Sequence, residues 1–284
     1  MHFSYLVEEE TLLRHFLQRQ LYSKKTLSAI KRNGALLVNG QKVTVRYQLS
    51  IGDKLEVYLP KETYSSYLIP HVQPLNILYE DDYFIIVSKP NNQNCAPSRE
   101  HPHASLIEQV IGYLQQRGSQ VVPHIVTRLD RHTLGIVIFA KHGFIHHLMS
   151  YAQMQKWYYV ICYGHIFNDF TISAPIARAD NSIIRREVRT DGKPAVTKLE
   201  LINRSQAYSL CRAQLITGRT HQLRVHFAYI GHPIVGDDLY EGKHHNYKSQ
   251  LLRCVEVQFI HPITKKEIVI KDKYQSIETI FNMV

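Results

Sequence analysis

Cysteine is scarce in this sequence, and its scarcity excludes two kinds of stabilised fold. The chain has 284 residues and only four cysteines, which lie far apart. They form none of the paired spacings that hold a zinc ion or build a small disulfide framework. We therefore expect four reduced and mostly buried thiols, at Cys95, Cys162, Cys211 and Cys254.

Long apolar runs are missing as well. No stretch approaches the roughly 20 apolar residues that are needed to cross a bilayer. The N-terminus turns acidic at residues 8–10 and lacks the basic-then-apolar profile of a signal peptide. We expect a cytoplasmic protein without a membrane partner.

Acidic residues are outnumbered by basic ones. Lys and Arg total 34 against 24 Asp and Glu, which gives a formal net charge of +10. Such an excess indicates an acidic partner, and nucleic acid fits it better than a membrane surface, although many proteins are mildly basic without binding either. The length suffices for a full catalytic core and a small second domain.

The first 62 residues are predicted to form a small α+β domain. Apolar residues at helical spacing predict two helices within residues 11–32. Asn39-Gly40 predicts a hairpin turn, and a last strand is predicted at residues 54–59. Four basic side chains lie on or beside the second helix: Lys24, Lys25, Lys31 and Arg32.

This unit resembles the alpha-L RNA-binding domain that many ribosome-associated proteins carry at one end. The similarity covers about residues 11–60 and is best at three short segments, 31–34, 38–41 and 52–54. The resemblance implies that the basic helix binds RNA. A generic α+β domain with a solvated basic helix stays open as the alternative.

Residues 63–75 are predicted to be a linker, and residues 76–284 to form a second domain rich in β-strands. A strand pair around an acidic turn is expected within residues 78–90, and a helix at 105–116 follows a polar loop at 91–104. Further strands are predicted at 157–163, 183–190, 195–202, 207–216 and 255–260. We expect a mixed α+β domain with a largely antiparallel sheet.

One carboxylate lies between two arginines ahead of an apolar run. Asp130 is flanked by Arg128 and Arg131, and the run at residues 136–140 is typical of a buried strand. A carboxylate beside guanidiniums can serve as a nucleophile or form a structural ion pair. For this segment alone, a solvated charged surface is the plainer interpretation.

A second informative segment spans residues 217–237. A helix is predicted over residues 219–228, which puts Arg219 near its positive N-terminal end and Arg224 on one face. A row of basic side chains there suits the binding of an anion or pairing with a carboxylate.

Together these segments resemble the RluA-type pseudouridine synthases, which isomerise chosen uridines in structured RNA. Residues 127–141 follow the central signature of that family closely, and residues 217–237 follow its C-terminal signature. Shorter matches occur in the family's order at Lys89-Pro90, 155–158, 192–197 and 259–262. The likeness spans about residues 76–270.

The resemblance implies a role for each matching side chain. Asp130 would be the catalytic aspartate, Arg224 its partner, and Tyr158 the aromatic ring that lies against the target base. The other side chains expected to contact substrate or RNA are Arg128, Arg219, Leu223 and Lys89. Plainer roles stay open, in core packing for Tyr158, in a turn for Lys89 and at a helix start for Arg219.

The activity implied is the isomerisation of uridine in RNA, with large-subunit ribosomal RNA favoured and transfer RNA as the other candidate. A carboxylate nucleophile can perform it without a metal or nucleotide cofactor. A metal site is not expected, because His221 and His226 are five residues apart and do not share a helical face. We expect a monomer.

Three residues depart from the family's central signature: Thr127 replaces a histidine, His132 an aspartate and Leu134 a serine. These departures keep open a second function, that of a catalytically inactive RNA-binding or ribosome-assembly factor. A metal-dependent nuclease or phosphoesterase is the third class considered.

Overall fold

The computed structural model describes residues 1–273 and 277–282, and its N-terminal part is built on a four-stranded antiparallel sheet. The elements of this part are β1 (His2–Leu6), β2 (Thr11–Leu12), α1 (Leu13–Arg19), α2 (Lys24–Asn33), β3 (Ala35–Val38), β4 (Gln41–Lys42), β5 (Gln48–Leu49) and β6 (Lys54–Tyr58). The strand order is β1-β6-β3-β4, and β2 pairs separately with β5. Both predicted helices and the hairpin are confirmed, whereas β1 is an element that the sequence did not predict.

Helix α2 begins and ends at residues suited to those positions. The Ser23 hydroxyl accepts a hydrogen bond from the Thr26 amide at 3.1 Å, which satisfies one of the amides that a first helical turn leaves free. Gly34 follows the last helical residue. Leu27 and Ile30 are buried on one face, and four basic side chains are exposed: Lys24, Lys25, Lys31 and Arg32.

The rest of the described chain forms a ten-stranded main sheet and a separate two-stranded sheet, with helices packed against them. Its strands are β7 (Ile77–Glu80), β8 (Phe84–Lys89), β9 (His124–Ile125), β10 (Leu134–Ala140), β11 (Met154–Tyr163), β12 (Phe170–Ser173), β13 (Ile176–Arg178), β14 (Arg186–Val188), β15 (Val196–Arg204), β16 (Tyr208–Leu215), β17 (Leu252–Ile260) and β18 (Glu267–Lys271). Its helices are α3 (Leu106–Gln116), α4 (Gly143–Met149), α5 (Gln222–Tyr229) and α6 (Ile277–Phe281), with a 3₁₀ turn at Asp238–Tyr240.

The main sheet runs β12-β15-β16-β11-β17-β10-β8-β7, with β18 added to β17 and β9 added to β10. Its pairs are antiparallel, apart from the short parallel contact between β10 and β17. The predicted mixed α+β fold with a largely antiparallel sheet is confirmed. One predicted strand, at residues 183–190, is reduced to the three residues of β14, which pairs with β13 outside the main sheet.

Two cores lie on opposite faces of the central strands. Successive side chains of a strand point to opposite faces, and at residues 84–87 of β8 and 136–140 of β10 both sets are apolar and buried. Ile85 and Val137 pack with helix α3 on one face, while Ile86 and Ile138 belong to the larger core on the other. Burial on both faces explains why β10 is an unbroken apolar run in the sequence.

Gly135 brings strand β10 close to β17. Its φ of +106° is a conformation that side chains with a Cβ rarely adopt, and a Cβ built there would lie 2.1 Å from the carbonyl oxygen of Cys254. The residue therefore fixes where the loop that carries Asp130 enters the sheet.

The segment predicted as a linker has no regular secondary structure, yet it packs against helix α3. The Ile69 amide donates to the Glu108 carboxylate at 2.9 Å, and the His71 amide donates to the Glu108 carbonyl at 2.9 Å. The N-terminal sheet also contacts helix α4, because the rings of Phe3 and Tyr22 lie 5.5 and 4.3 Å from that of Phe144. The division of the chain at residues 62 and 76 stays a prediction.

No helix within residues 1–273 or 277–282 combines the length and the apolar character that a membrane crossing requires.

Candidate active site

Asp130 lies in the loop before β10, with one of its carboxylate oxygens held by the protein. Nη1 of Arg224 donates to Oδ2 at 3.2 Å, and Nε2 of His221 lies 3.7 Å from the same oxygen. The side chain keeps 31% of its surface exposed. Both contacts fall on Oδ2, so Oδ1 is the oxygen available to an incoming substrate.

Arg224 projects from helix α5 and is fixed by a second carboxylate. Its Nε and Nη2 donate to the two oxygens of the buried Asp237 at 2.7 and 2.8 Å, which leaves Nη1 for Asp130. The ring of Tyr240 lies 5.0 Å from the guanidinium carbon. Burial alone would lower the pKa of Arg224, but the hydrogen bonds to Asp237 and the charge of Asp130 raise it above its ordinary value.

Within the described part of the chain, the two arginines beside Asp130 in the sequence form no ion pair with it, so the alternative of a structural ion pair within this segment is not what the structure shows. Arg128 is exposed, and Nε of Arg131 donates to the Asn92 side chain at 2.9 Å. The ion pair comes instead from Arg224, 94 residues away along the chain.

Tyr158 lies on β11 beside the same site. Only 5% of the residue is exposed, and it belongs to the core cluster that also contains Cys254 and Leu223. Burial, followed by the proximity of Cys254 and a hydrogen bond with it, raises the pKa of the Tyr158 phenol well above its usual range. Tyr158 is therefore a buried, neutral aromatic ring that lies close enough to Asp130 to sense its charge.

Lys89, which was predicted to bind RNA, lies in an environment that favours its plainer role in a turn. The residue is 1% exposed, and its ammonium donates to three carbonyl oxygens, those of Pro90, Gln93 and Arg131, each at 2.9 Å. Burial lowers its pKa to about 8, although the charge of Asp130 opposes that shift. Lys89 therefore ties the loop that carries Asp130 to the loop at 91–104.

The predicted start of helix α5 is corrected by three residues. The helix begins at Gln222, because His221 adopts a left-handed conformation with φ of +57°. Arg219 lies ahead of it in the loop, where Nε donates to the Pro194 carbonyl at 2.9 Å. The side chain of Arg219 is half-buried, and Leu223 is buried in the core.

The residues that depart from the family signature have their own partners. The Thr127 hydroxyl, two residues after the end of β9, accepts a hydrogen bond from the Ile138 amide of β10 at 3.0 Å. Nδ1 of His132 lies 3.4 Å from both the Asn91 side-chain oxygen and the Ser249 hydroxyl. Within residues 1–273 and 277–282, no side-chain hydrogen bond joins Thr127, His132 or Leu134 to the Asp130 carboxylate.

Three residues of the site were not predicted: His221, Asp237 and Tyr240. Asp237 and His221 lie inside the segment 217–237, and the sequence offered a signal for Asp237, because a buried arginine needs a carboxylate partner. His221 and His226 do not converge. His226 contacts the Thr197 hydroxyl at 2.9 Å and the Ala174 carbonyl at 3.0 Å, whereas His221 faces Asp130 and Tyr240.

Comparison with known proteins identifies the family. Residues 83–229 match the family model described as RNA pseudouridylate synthase. The chain belongs to this family. It is an RNA pseudouridine synthase, an isomerase that acts on RNA, and the predicted activity is confirmed.

The synthase is similar over most of its length to bacterial relatives. It is 40% identical to the uncharacterized RNA pseudouridine synthase YjbO of Bacillus subtilis, over 87% of this chain and 89% of the relative. Ribosomal large subunit pseudouridine synthase D of Xanthomonas campestris is 30% identical over 87% of this chain and 80% of its own. Ribosomal large subunit pseudouridine synthase C of Vibrio cholerae is 31% identical over 89% and 86%.

A solved human structure has a similar fold. The protein named RNA Pseudouridylate Synthase Domain Containing 1 matches with a TM-score of 0.58 at 20% identity, over 78% of the synthase and 97% of the human chain.

Proposed function

We propose that the synthase converts specific uridines of large-subunit ribosomal RNA to pseudouridine and that Asp130 is its nucleophile. The observation that carries this proposal is that, in the described part of the chain, the protein contacts only one oxygen of the Asp130 carboxylate. Arg224 and His221 both face Oδ2, and 31% of the side chain stays exposed. A nucleophile that is aligned but accessible needs this arrangement.

The reaction is an isomerisation and needs no net reagent. The bond between ribose C1′ and base N1 breaks, a bond between C1′ and C5 forms, and the hydrogen on C5 is replaced by one on a ring nitrogen. Asp130 can supply the nucleophile at the sugar or at the base ring. Arg224, anchored by Asp237, keeps its charge throughout and balances that of Asp130.

The target base must leave its stack before Asp130 can reach it, which costs a few kcal/mol. We assign the stacking role to Tyr158, a buried ring close to Asp130, because stacking on aromatic rings is the usual way in which proteins hold a splayed RNA base. Arg128, which is exposed and next but one to Asp130, is suited to hold RNA phosphate or the vacated position in the stack.

Ribosomal RNA is the favoured substrate for two reasons. Relatives that are 30% and 31% identical over most of the chain are named ribosomal large subunit pseudouridine synthases. The N-terminal module also presents an exposed basic helix, which suits a large RNA: Lys24, Lys25, Lys31 and Arg32. A cytoplasmic location and a monomeric state belong to the same proposal. The inactive assembly factor has no observation in its favour.

The test is to map pseudouridines in total RNA from cells that lack the gene and carry either the wild type or Asp130→Asn. We expect a small set of sites in large-subunit RNA to disappear without the gene, to return with the wild type and to stay absent with Asp130→Asn. The matched control is Asp82→Asn, at an exposed carboxylate in the turn between β7 and β8. If Asp130→Asn fully restored the sites, Asp130 would not be the nucleophile. If the sites were confined to transfer RNA, the proposal of ribosomal RNA as the substrate would be wrong.

A further inference from the structure

His221 occupies a constrained position between two groups of the site. It comes directly before helix α5 with a left-handed φ of +57°, a conformation that is uncommon for residues other than glycine. Its side chain is only 11% exposed. Nδ1 lies 2.9 Å from the Tyr240 hydroxyl, and Nε2 lies 3.7 Å from Oδ2 of Asp130.

The hydrogen bonds of Tyr240 determine which imidazole nitrogen carries the proton. The Tyr240 hydroxyl is buried, and it accepts a hydrogen bond from the Arg186 amide at 2.9 Å. A buried hydroxyl also needs an acceptor for its own proton, and Nδ1 of His221 lies at the right distance. Burial raises the pKa of Tyr240, so the hydroxyl keeps that proton. The neutral His221 ring then carries its hydrogen on Nε2, which faces Asp130.

We propose that His221, held in the Nε2–H form by Tyr240, is a positioning residue that restrains Oδ2 of Asp130 and so directs Oδ1 toward the substrate. The inference rests on the proposed role of Asp130. The separation of 3.7 Å is too long for a hydrogen bond in the free protein, so the proposed restraint requires the two groups to move closer when substrate binds. Arg224 then holds Oδ2 from one side and His221 from the other.

The charges around His221 favour its neutral form. Burial is the largest influence and lowers its pKa, and the nearby Arg224 and Arg186 lower it further, while Asp130 and Asp237 oppose them. Protonation would put a hydrogen on Nδ1, reverse the hydrogen bond with Tyr240 and leave the Tyr240 proton without its acceptor. It would also draw the Asp130 carboxylate onto an imidazolium. We therefore expect catalysis to fall on the acid side as His221 gains a proton.

Three variants of the full chain test this role, with tritium release from total RNA labelled at C5 of uridine as the assay. The RNA comes from cells that lack the gene. In His221→Leu we expect kcat to fall roughly 10- to 100-fold with RNA affinity unchanged, because a misplaced reacting group costs that much. His221→Gln should recover most of this loss, because its amide can donate to Asp130. Both substitutions place an unbranched Cβ in the same left-handed position, so their backbone strain is matched.

The pH profile separates positioning from a purely structural role. In the wild type, kcat should fall at acid pH as His221 is protonated. His221→Gln should not show this fall. Tyr240→Phe keeps the ring that faces Arg224 but removes the hydroxyl that stabilises neutral imidazole, so the acid limb should move to higher pH. His165→Leu, at an exposed histidine in the loop after β11, is the matched control and should keep both kcat and the profile.

The contrary outcomes are distinct. If the wild type is active and His221→Leu has the same kcat and the same pH profile, the positioning role of His221 is overturned, but the proposed function is not. Equal losses in His221→Leu and His221→Gln, with the acid limb unmoved in Tyr240→Phe, would also overturn the positioning role and indicate a structural role. No tritium release by the wild type would contradict the proposed function and this inference with it.

Discussion

At the scale of single residues, Arg224 binds two carboxylates that differ in accessibility. Asp237 is fully buried, and Asp130 keeps 31% of its side chain exposed. The planar guanidinium fork lets one pair of nitrogens lock onto Asp237 while Nη1 remains for Asp130. A lysine in this position could not do both, because its single ammonium has no fixed fork. Asp237 therefore fixes the direction in which the Arg224 guanidinium points toward Asp130.

Lys89 permits a direct test of how the Asp130 loop is held. In Lys89→Met three carbonyls lose their donor, and the loop that carries Asp130 loses its attachment to the loop at 91–104. We expect kcat to fall roughly 10- to 100-fold through misplacement of Asp130. Tritium release measures this, and Lys198→Met, at an exposed lysine of β15, is the control. Undiminished kcat in Lys89→Met would show that the loop holds its shape without the tether.

Lys89 should also affect how the unfolding free energy depends on pH. Its pKa in the folded protein is lowered from 10.5 to about 8, so between these values the unfolded chain binds more protons than the folded one. Stability rises with pH wherever that holds. The unfolding free energy of the wild type minus that of Lys89→Met should therefore increase from pH 8 to pH 10. Denaturant titrations at several pH values measure it, and a flat or falling difference would contradict the shift.

At the scale of elements, the sequence predicted best the helices and strands that are determined by interactions between nearby residues. The strand pair at β7–β8, the capped helix α3 and the apolar strand β10 follow from periodicity and from residues such as Ser105 at a helix start. Strand β1 was missed because its partner β6 lies at the other end of the module, and pairing over such a distance leaves no local pattern.

The start of helix α5 shows why a site residue could be missed while its segment was recognised. Thr217-Gly218-Arg219 has the composition of a helix start, yet the Gln222 side chain accepts from the Arg219 amide at 3.0 Å and from the Thr217 hydroxyl at 2.9 Å. These side-chain bonds within the segment hold it as a loop, and His221 follows with its left-handed conformation before the helix begins. The sequence predicted Arg224 and Asp130, but not the turn that brings His221 to face them.

Gly135 gives the prediction that belongs to the sheet. Gly135→Ala would place a Cβ 2.1 Å from the Cys254 carbonyl, and the backbone of β17 cannot yield without breaking the β10 pairing. We expect a loss of more than about 2 kcal/mol of unfolding free energy. Gly118→Ala is the control, because its φ is also positive, at +70°, but its Cβ would meet nothing within 4 Å. It should cost only about 1 kcal/mol. Chemical denaturation compares them, and equal losses would mean that the close approach is unimportant.

At the scale of the whole molecule, the N-terminal module and the catalytic part are joined by packing as well as by the chain. The rings of Phe3 and Tyr22 each pack against the ring of Phe144 across the junction. Glu62 adds a polar contact, with His124 at 3.0 Å and with the Gly143 amide at 3.0 Å. The sequence predicted both parts but gave no sign of this junction, because its residues belong to separate segments. Packing of this kind holds the basic helix at a set distance from Asp130.

The last prediction is that the N-terminal module contributes to RNA binding but not to the rate of the chemical step. Replacing Lys24, Lys25, Lys31 and Arg32 by Gln should weaken RNA binding and reduce the dependence of log Kd on log salt by up to about 3, because four phosphate contacts are lost. The value of kcat at saturating RNA should be unchanged, since Asp130 is not disturbed. A control with the same loss of four charges replaces the exposed lysines of the β17–β18 region by Gln, at Lys265, Lys266, Lys271 and Lys273. Binding measured at several salt concentrations separates the two. If RNA affinity and its salt dependence changed equally in both variants, the basic helix would contribute only as part of the overall positive charge. A lower kcat in the helix variant alone would mean that the N-terminal module also affects the structure of the active site.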